Sequence, residues 1–242
     1  DGDLLLDAAT NGLMSGSLAI TSAAGSITQN TVALNVGTTS SFTTSATGQT
    51  ISLGTTTNEF VGAVALTTTG TGGNATIVAG ATNDLVLAAS TINGNLTVTS
   101  GNATGITDIG TVTVTGDLSA TTNGGAAGDI VLDNLAVTAS TENITLTTDG
   151  AGSATIVNTV GIDFATSNVG GVLIATATTG NIEDTGVVTV AGASTFNTLA
   201  TDADILLGSA NVLGGAVSLN TTGSGGNASL NNGTTAMVIT GS

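Results

Sequence analysis

One long motif occurs three times in this chain, and this internal repetition restricts the possible folds more than any other feature. The segments Ala63–Thr76 (AVALTTTGTGGNAT) and Ala216–Ser229 (AVSLNTTGSGGNAS) are identical at ten of fourteen positions, although they are far apart in the sequence. A looser third copy, Ile144–Thr155 (ITLTTDGAGSAT), lies between them. The chain is therefore built from tandem units, each of which buries its apolar side against its neighbours.

A second motif sets the period of the repeat. Ile106–Gly116 (ITDIGTVTVTG) and Ile182–Gly192 (IEDTGVVTVAG) share seven of eleven residues at an offset of 76, and Ile27–Gly37 is a weaker first copy. We therefore predict one continuous domain over residues 1–242. Its repeat units follow this offset and lie approximately at 18–95, 96–172 and 173–242, with 1–17 as the end of a preceding unit.

The residues between the motifs indicate very short strands. Alternating runs such as Thr111–Thr115 (TVTVT) and Val187–Val190 (VVTV) are separated by corners rich in Gly and Asn. Runs of three to five residues are shorter than a sandwich needs, whereas frequent sharp corners suit a β-helix. We predict an all-β parallel β-helix (β-solenoid) of about 12 coils, with ~19 residues or slightly more in each coil. Equivalent residues such as Val64 and Val217 should point inward, several coils apart.

The charge balance excludes several partners. The chain has 16 acidic residues and no Lys, Arg or His, so its net charge is -16. Nucleic acid is excluded, because phosphate recognition needs cationic side chains. Anionic membrane surfaces are disfavoured for the same reason. Membrane insertion is not expected either, since no run approaches 18 apolar residues.

Three short motifs recur: G-x-I, for example at Gly25–Ile27 and Gly180–Ile182, D-I-x-L at Asp129–Leu132 and Asp204–Leu207, and V-x-V-x-G at Val112–Gly116 and Val188–Gly192. In these motifs the chain resembles the β-strand repeats of filamentous-haemagglutinin-like adhesins and related autotransporter-type passengers, which are very large bacterial surface proteins. The resemblance implies a right-handed parallel β-helix that is exported across an outer membrane. The implied location is extracellular, on the bacterial cell surface.

The side chains available for catalysis are few, which favours a non-enzymatic structural or adhesive function. His, Lys, Cys, Tyr and Arg are all absent, so only carboxylates and hydroxyls remain as bases or nucleophiles. A carbohydrate-active β-helix would have to use acid pairs such as Asp202 with Asp204, or Glu183 with Asp184. The competing interpretation places these acids in turns on a solvated edge.

Calcium is the one cofactor for which the sequence offers ligands. Asp1 with Asp3, and Asp202 with Asp204, place carboxylates at i and i+2, where corner carbonyls would complete an oxygen shell. Asx-turn capping is the alternative role and the favoured one for these acids.

Two other binding functions stay open as alternatives. A glycan-binding surface module would normally use exposed Trp or Tyr, and the chain has neither. An ice-binding solenoid would use flat ladders of threonine, for which the Thr-x-Thr runs at Thr97–Thr99, Thr111–Thr115 and Thr176–Thr178 are candidates.

The two ends of the sequence resemble its interior. Asp1–Asp7 (DGDLLLD) is similar to Gly128–Asp133 (GDIVLD), and Met237–Thr240 (MVIT) has a strand pattern. We therefore expect each end to stack head to tail on another copy, or on more of the same long chain. Such a contact is heterologous and can build a fibre.

Overall fold

The computed structural model describes residues 2–6, 16–125, 127–138 and 142–241, and these residues form β-strands, corners and no helix. The strands of the first half are β1 (Leu4–Leu6), β2 (Leu18–Ser22), β3 (Ile27–Gln29), β4 (Asn35–Val36), β5 (Ser40–Thr47), β6 (Ile51–Leu53), β7 (Glu59–Phe60), β8 (Val64–Thr69), β9 (Ala75–Ala79), β10 (Leu85–Leu87), β11 (Ser90–Ile92), β12 (Leu96–Ser100), β13 (Gly105–Asp108), β14 (Val112–Val114) and β15 (Leu118–Thr122). Those of the second half are β16 (Asp129–Val137), β17 (Asn143–Thr147), β18 (Ala154–Asn158), β19 (Ile162–Phe164), β20 (Ser167–Val169), β21 (Leu173–Ala177), β22 (Ile182–Asp184), β23 (Val188–Val190), β24 (Ser194–Thr201), β25 (Ile205–Leu207), β26 (Val212–Leu213), β27 (Ala216–Thr222), β28 (Ala228–Leu230) and β29 (Val238–Gly241).

The strands stack as a parallel β-solenoid. A typical coil contains β12, β13 and β14, after which the chain returns so that β15 pairs in parallel with β12. The pairings join the strands into sheets of 14, 13 and two strands that run along the solenoid. The predicted all-β parallel fold is confirmed.

The stack has about 10 turns, so the predicted 12 coils were too many. Residues paired in adjacent coils are 19 apart at the shortest (Ala154 and Leu173) and 26 apart at the longest (Leu118 and Ile144). The predicted coil length is thus the lower limit of the observed range, because corner loops of variable length lengthen most coils.

One sequence repeat does not correspond to a whole number of coils. β8 and β27, which carry the two closest motif copies, lie in the same sheet seven strand pairings apart, whereas β17, with the third copy, lies in the other large sheet. The offset between the two closest copies therefore corresponds to seven coils, and one repeat unit to about three and a half. Val64 and Val217 are both fully buried, as predicted.

The core is a single column of inward-facing side chains. Val, Leu, Ile and Ala fill most of it, and all four phenylalanines are buried within it. Phe42 packs edge to face on Phe60 with ring centroids 6.5 Å apart, and Phe164 packs on Phe196 in the same way at 6.2 Å. This is the arrangement that aromatic pairs prefer in protein interiors.

The faces of the solenoid are rearranged at two levels. At the first, β8 is paired at its start by β10 and further along by β11, and the second lies around β16. β18 pairs with both halves of the long strand β16, while β17 is paired at its start by β19 and at its end by β20. The two faces that contain β13 and β14 therefore merge into one at β16, and the face that contains β12, β15 and β17 divides into two at β19 and β20. The fully buried Asn158 lies at this level: its Oδ1 accepts from Val137 N at 2.8 Å, and its Nδ2 donates to the carbonyls of Val137 at 3.2 Å and Gly161 at 2.7 Å.

Threonines at strand ends fix the corners of the repeated motif. The Oγ1 atoms of Thr68 and Thr148, both buried, donate to the carbonyls of Gly73 at 2.6 Å and Gly152 at 2.7 Å, which closes each loop on itself. Within these loops Gly70 has a φ of 69°, in the left-handed region that favours glycine. The motif therefore encodes a strand together with the corner that ends it.

Candidate functional site

The proposed calcium ligands accept backbone hydrogen bonds from the following coil. Oδ1 of Asp3 accepts from Ser26 N, Oδ1 of Asp202 from Gly225 N, and Oδ1 of Asp204 from Asn227 N, each at 2.7 Å. Asp1 lies outside the described residues. In the part of the chain that the structure describes, no three acidic side chains are grouped so that they could hold a metal ion.

Asp204 belongs to a ladder of side chains along one edge of the solenoid, and we call this ladder the Asx edge. Each member is an Asp or Asn just before or at the start of a strand, and its side-chain oxygen accepts from the backbone N–H of a residue in the next coil at 2.7–3.0 Å. The members are Asn74, Asn95, Asp117, Asn181 and Asp204. Asp117 accepts from the backbone N–H of Asn143, and Asp204 accepts from that of Asn227. The ladder satisfies N–H groups at corners, where the strand pairing is interrupted.

A second capping position occurs once in each repeat unit and was missed in the sequence analysis. Gln29, Asp108 and Asp184 are the third residues of the three copies of the Ile-x-x motif. Asp184 accepts from Gly208 N at 2.8 Å and from Asn211 Nδ2 at 2.6 Å in the next coil. The signal was present in the sequence, since the same motif position carries Gln or Asp in all three copies.

Asp108 performs this capping from a buried position. It accepts from the backbone N–H groups of Asp133 and Asn134 at 3.3 and 3.1 Å. Burial raises the pKa of Asp108, and its hydrogen bonds from Asn134 partly oppose that rise. The pair Asp108–Asn134 thus corresponds to the pair Asp184–Asn211 in the next unit. In the first unit the corresponding pair consists of two amides, Gln29 and Asn58, whose side chains donate to each other's oxygen at 2.6 and 2.9 Å.

Asp163 and Glu183 form a pair of acidic side chains on neighbouring strands. These residues are directly opposite each other on β19 and β22, beside a shallow cavity of about 310 Å³ that Asn181 also lines. Oδ1 of Asp163 is shielded from solvent and has no hydrogen-bond partner. Burial raises the pKa of Asp163, the nearby charges of Glu183 and Asp184 raise it further, and hydrogen bonds from Thr185 lower it in part.

Asp163→Asn is expected to stabilise the protein at pH 7. Like charges opposite each other on adjacent strands are unfavourable, so the expected gain is about 0.5 kcal/mol. A raised folded-state pKa means that the native state favours protonated Asp163, and the stability gained from protonation is lost as the pH rises through that pKa. The advantage of the variant should therefore be present at pH 7 and disappear below the ordinary carboxyl pKa of about 3.9.

The matched control for this substitution is Asp129→Asn. It removes the same charge from a carboxylate that accepts from Ser153 N at 2.7 Å, a bond that an Asn oxygen can keep. Urea denaturation of both variants at a series of pH values makes the comparison. Equal stabilities for the two variants at every pH would contradict the inference that the negative charge of Asp163 destabilises the native state.

Three of the four acids considered for catalysis, Asp184, Asp202 and Asp204, cap backbone N–H groups. Asp202 and Asp204 each bind a backbone N–H of the next coil, and Asp184 binds three donors while its neighbour Glu183 accepts from Asn181 Nδ2 at 3.0 Å. Capping of the next coil therefore accounts for Asp184, Asp202 and Asp204, but not for Glu183.

The Thr-x-Thr runs are placed differently by the structure. Thr97 and Thr99 lie on the outer surface of β12, between strands that carry hydroxyls at most of the paired positions. Thr113 of the second run lies on β14, and Thr176 of the third lies on β21, where its Oγ1 accepts from Asn197 Nδ2 at 3.1 Å. Thr113 belongs to a single column of threonines, Thr21, Thr43, Thr67, Thr91 and Thr113, whereas around the first run two adjacent columns carry hydroxyl side chains at matched positions.

The fold and its tandem units define a β-solenoid repeat protein. The chain matches a family described as repeats of unknown function (DUF5649) in three consecutive stretches, residues 1–67, 72–140 and 151–220. Because these stretches cover most of the chain, the protein belongs to this family. Its repeats are about 70 residues long, somewhat shorter than the period read from the sequence motifs and differently phased.

No curated protein and no solved structure matches the chain. The described part of the chain also contains no helix with the length and hydropathy needed to cross a membrane.

Proposed function

We propose that this chain is a non-enzymatic structural segment of a bacterial cell-surface adhesin or extracellular filament. The observation that carries the proposal is the continuity of the stack in the described residues: strand pairing runs from β1 to β29, and the buried apolar core runs from Ile27 to Val217. Such a body is quasi-one-dimensional and can be lengthened by adding repeats without a change in its cross-section. It is suited to bridging distance.

The chemistry of the side chains supports a structural role. Without His, Lys, Arg, Cys or Tyr, the chain depends on carboxylates for any acid–base step. The carboxylates of Asp108, Asp117, Asp184, Asp202 and Asp204 accept main-chain hydrogen bonds between coils. These hydrogen bonds connect adjacent coils and make the rod rigid.

The outermost strands support assembly along the axis. In the described residues β1 pairs with β3 alone and β29 with β27 alone, so each presents an open edge. Apolar side chains accompany these edges, since Leu5 is 54% exposed and Ile239 is 48% exposed. Open edges of this kind recruit further strands, and we expect coils of the same fold to stack there, in a second copy or in more of the same chain.

An extracellular position agrees with the composition. The chain has no cysteine, so its fold is independent of the redox state of its surroundings. The resemblance to adhesin repeats suggests the same location. An antibody raised against this chain should label the surface of intact cells of the native source.

Self-stacking is tested by sedimentation velocity and electron microscopy over a range of protein concentrations. We expect rods that lengthen as the concentration rises, and we expect Ile239→Lys to abolish the lengthening by placing an unpaired charge on the open edge. The matched control is Leu206→Lys, because Leu206 is 37% exposed on the lateral strand β25. A monomer at every concentration, or lengthening that survives Ile239→Lys, would contradict stacking between copies.

A further inference from the structure

One lateral face of the solenoid carries hydroxyl side chains in matched columns. It consists of the outer surfaces of β9, β12, β15 and β17, and we call it the threonine face. Parallel pairing aligns its first column, Thr76, Thr97, Ser119 and Thr145, and its second column, Val78, Thr99, Thr121 and Thr147. Six of the eight positions are threonine.

Both columns continue beyond these four strands. The first is extended by Ser52 on β6 and Thr28 on β3. The second is extended in the opposite direction by Asn168 on β20 and Thr189 on β23. Each column therefore spans six successive coils, and the two run side by side over four of them.

The spacing of the columns is fixed by the backbone. Strands in a sheet lie about 4.8 Å apart, and residues i and i+2 of a strand lie about 6.6 Å apart on the same face. The inward neighbours Leu96, Val98, Leu118 and Ala120 are fully or almost fully buried, so the core holds these strands in place. Threonine is also restricted at χ1, which limits the movement of each hydroxyl.

The threonine face has no charge, although the chain carries 16 acidic residues. None of its eight positions is acidic, whereas on β19 and β22 the paired outward positions are Asp163 and Glu183. A suitable partner for this face is therefore uncharged, periodic in two directions and able to exchange hydrogen bonds with hydroxyl groups.

We propose that the threonine face binds hexagonal ice. The two spacings, along the axis and along the strand, are close to repeat distances of oxygen atoms on a prism plane of ice. The hydroxyls can join the hydrogen-bond lattice of water, and the methyl groups favour ordered water around them. A shallow groove of about 380 Å³ lies beside the first column, between Thr97, Ser119 and Thr145 on one side and Asn95, Asp117 and Asn143 on the other. The polar side chains that line the groove offer hydrogen-bond partners for a row of ordered water molecules.

The test compares ice shaping, thermal hysteresis and inhibition of ice recrystallisation for three proteins. These are the unchanged chain, the double variant Thr97→Lys with Thr121→Lys on the threonine face, and the control Thr155→Lys with Thr195→Lys. The control residues are outward-facing threonines on β18 and β24 of another face. Circular dichroism establishes that all three proteins are folded.

We expect the unchanged chain and the control to shape ice crystals, and we expect the variant on the threonine face to lose this activity. Absence of ice shaping by the unchanged chain would overturn the proposal, and so would equal activity of the two double variants. Insoluble polysaccharide is included as a second probe in a sedimentation assay. Binding to it without ice activity, lost in the threonine-face variant, would assign the face to a glycan and also overturn the proposal.

Discussion

Phe164→Ala is expected to lower the free energy of unfolding by about 3–5 kcal/mol, the usual cost of truncating a buried aromatic side chain. Phe164 is fully buried and packs edge to face on Phe196, a contact that adds about 0.5–1.5 kcal/mol beyond its area. The column of side chains inside the solenoid is narrow and continuous, so a cavity there removes packing from the coils on both sides.

Denaturation of two further variants completes this test. Phe164→Leu keeps most of the volume and should cost less than Phe164→Ala. Leu199→Ala is the exposed control, since Leu199 is 55% exposed, and its effect should stay within about 0.5 kcal/mol. A loss below about 1 kcal/mol for Phe164→Ala would mean that the phenylalanine pair is not part of a tightly packed core.

The class of fold could be predicted from the sequence because its signals are local and repeated. Alternation in runs such as Thr111–Thr115 indicates which residues face inward, and glycines in the motif at Ala63–Thr76 indicate a corner. Repetition of these signals leaves stacking as the means of burying the apolar sides. The inward positions of Val64 and Val217 follow directly, and both residues are fully buried.

The number of coils could not be predicted, because the length of a coil depends on corners that repeat only imperfectly. One sequence unit corresponds to about three and a half coils, and paired residues in adjacent coils are separated by different lengths of chain. A period that is not a whole number of coils sends adjacent motif copies to different sheets. The sequence alone shows the period but has no marker for the coil itself.

The roles of the acids were partly predictable. Capping was the favoured interpretation for Asp202 and Asp204, and the structure shows both accepting N–H groups. Their partners, Gly225 and Asn227, belong to the next coil and are distant in the sequence, so no local rule could name them. The stacked pair Asp163 and Glu183 was missed for the same reason, because opposition across coils depends on register.

Asn158→Ala is the second substitution with a large expected effect, because it removes the side chain that completes pairing where the faces rearrange around β16. The change leaves Val137 N–H and the carbonyls of Val137 and Gly161 without their amide partner. Each buried group left unsatisfied costs about 1–3 kcal/mol, so the expected total loss is about 3 kcal/mol or more. Asn158→Leu should be no better, since an apolar side chain of similar size fills the space but satisfies none of these groups.

The control is Asn197→Ala, which removes a half-buried outward amide that donates to Thr176 Oγ1 at 3.1 Å and accepts from Asn220 Nδ2 at 2.8 Å. Water can replace those partners, so the expected loss is about 0.5 kcal/mol. Hydrogen exchange adds a local measurement: in Asn158→Ala, the amide of Val137 should lose its protection more than amides of β12, several coils away. Equal losses of stability in the Asn158 and Asn197 variants, with unchanged protection of Val137, would show that the rearranged level is held by strand pairing alone. The result expected here follows from the geometry at that level, where strand β18 covers both halves of β16. Val137, the last residue of β16, pairs with β14 on one side and bonds to the amide side chain of Asn158 on the other.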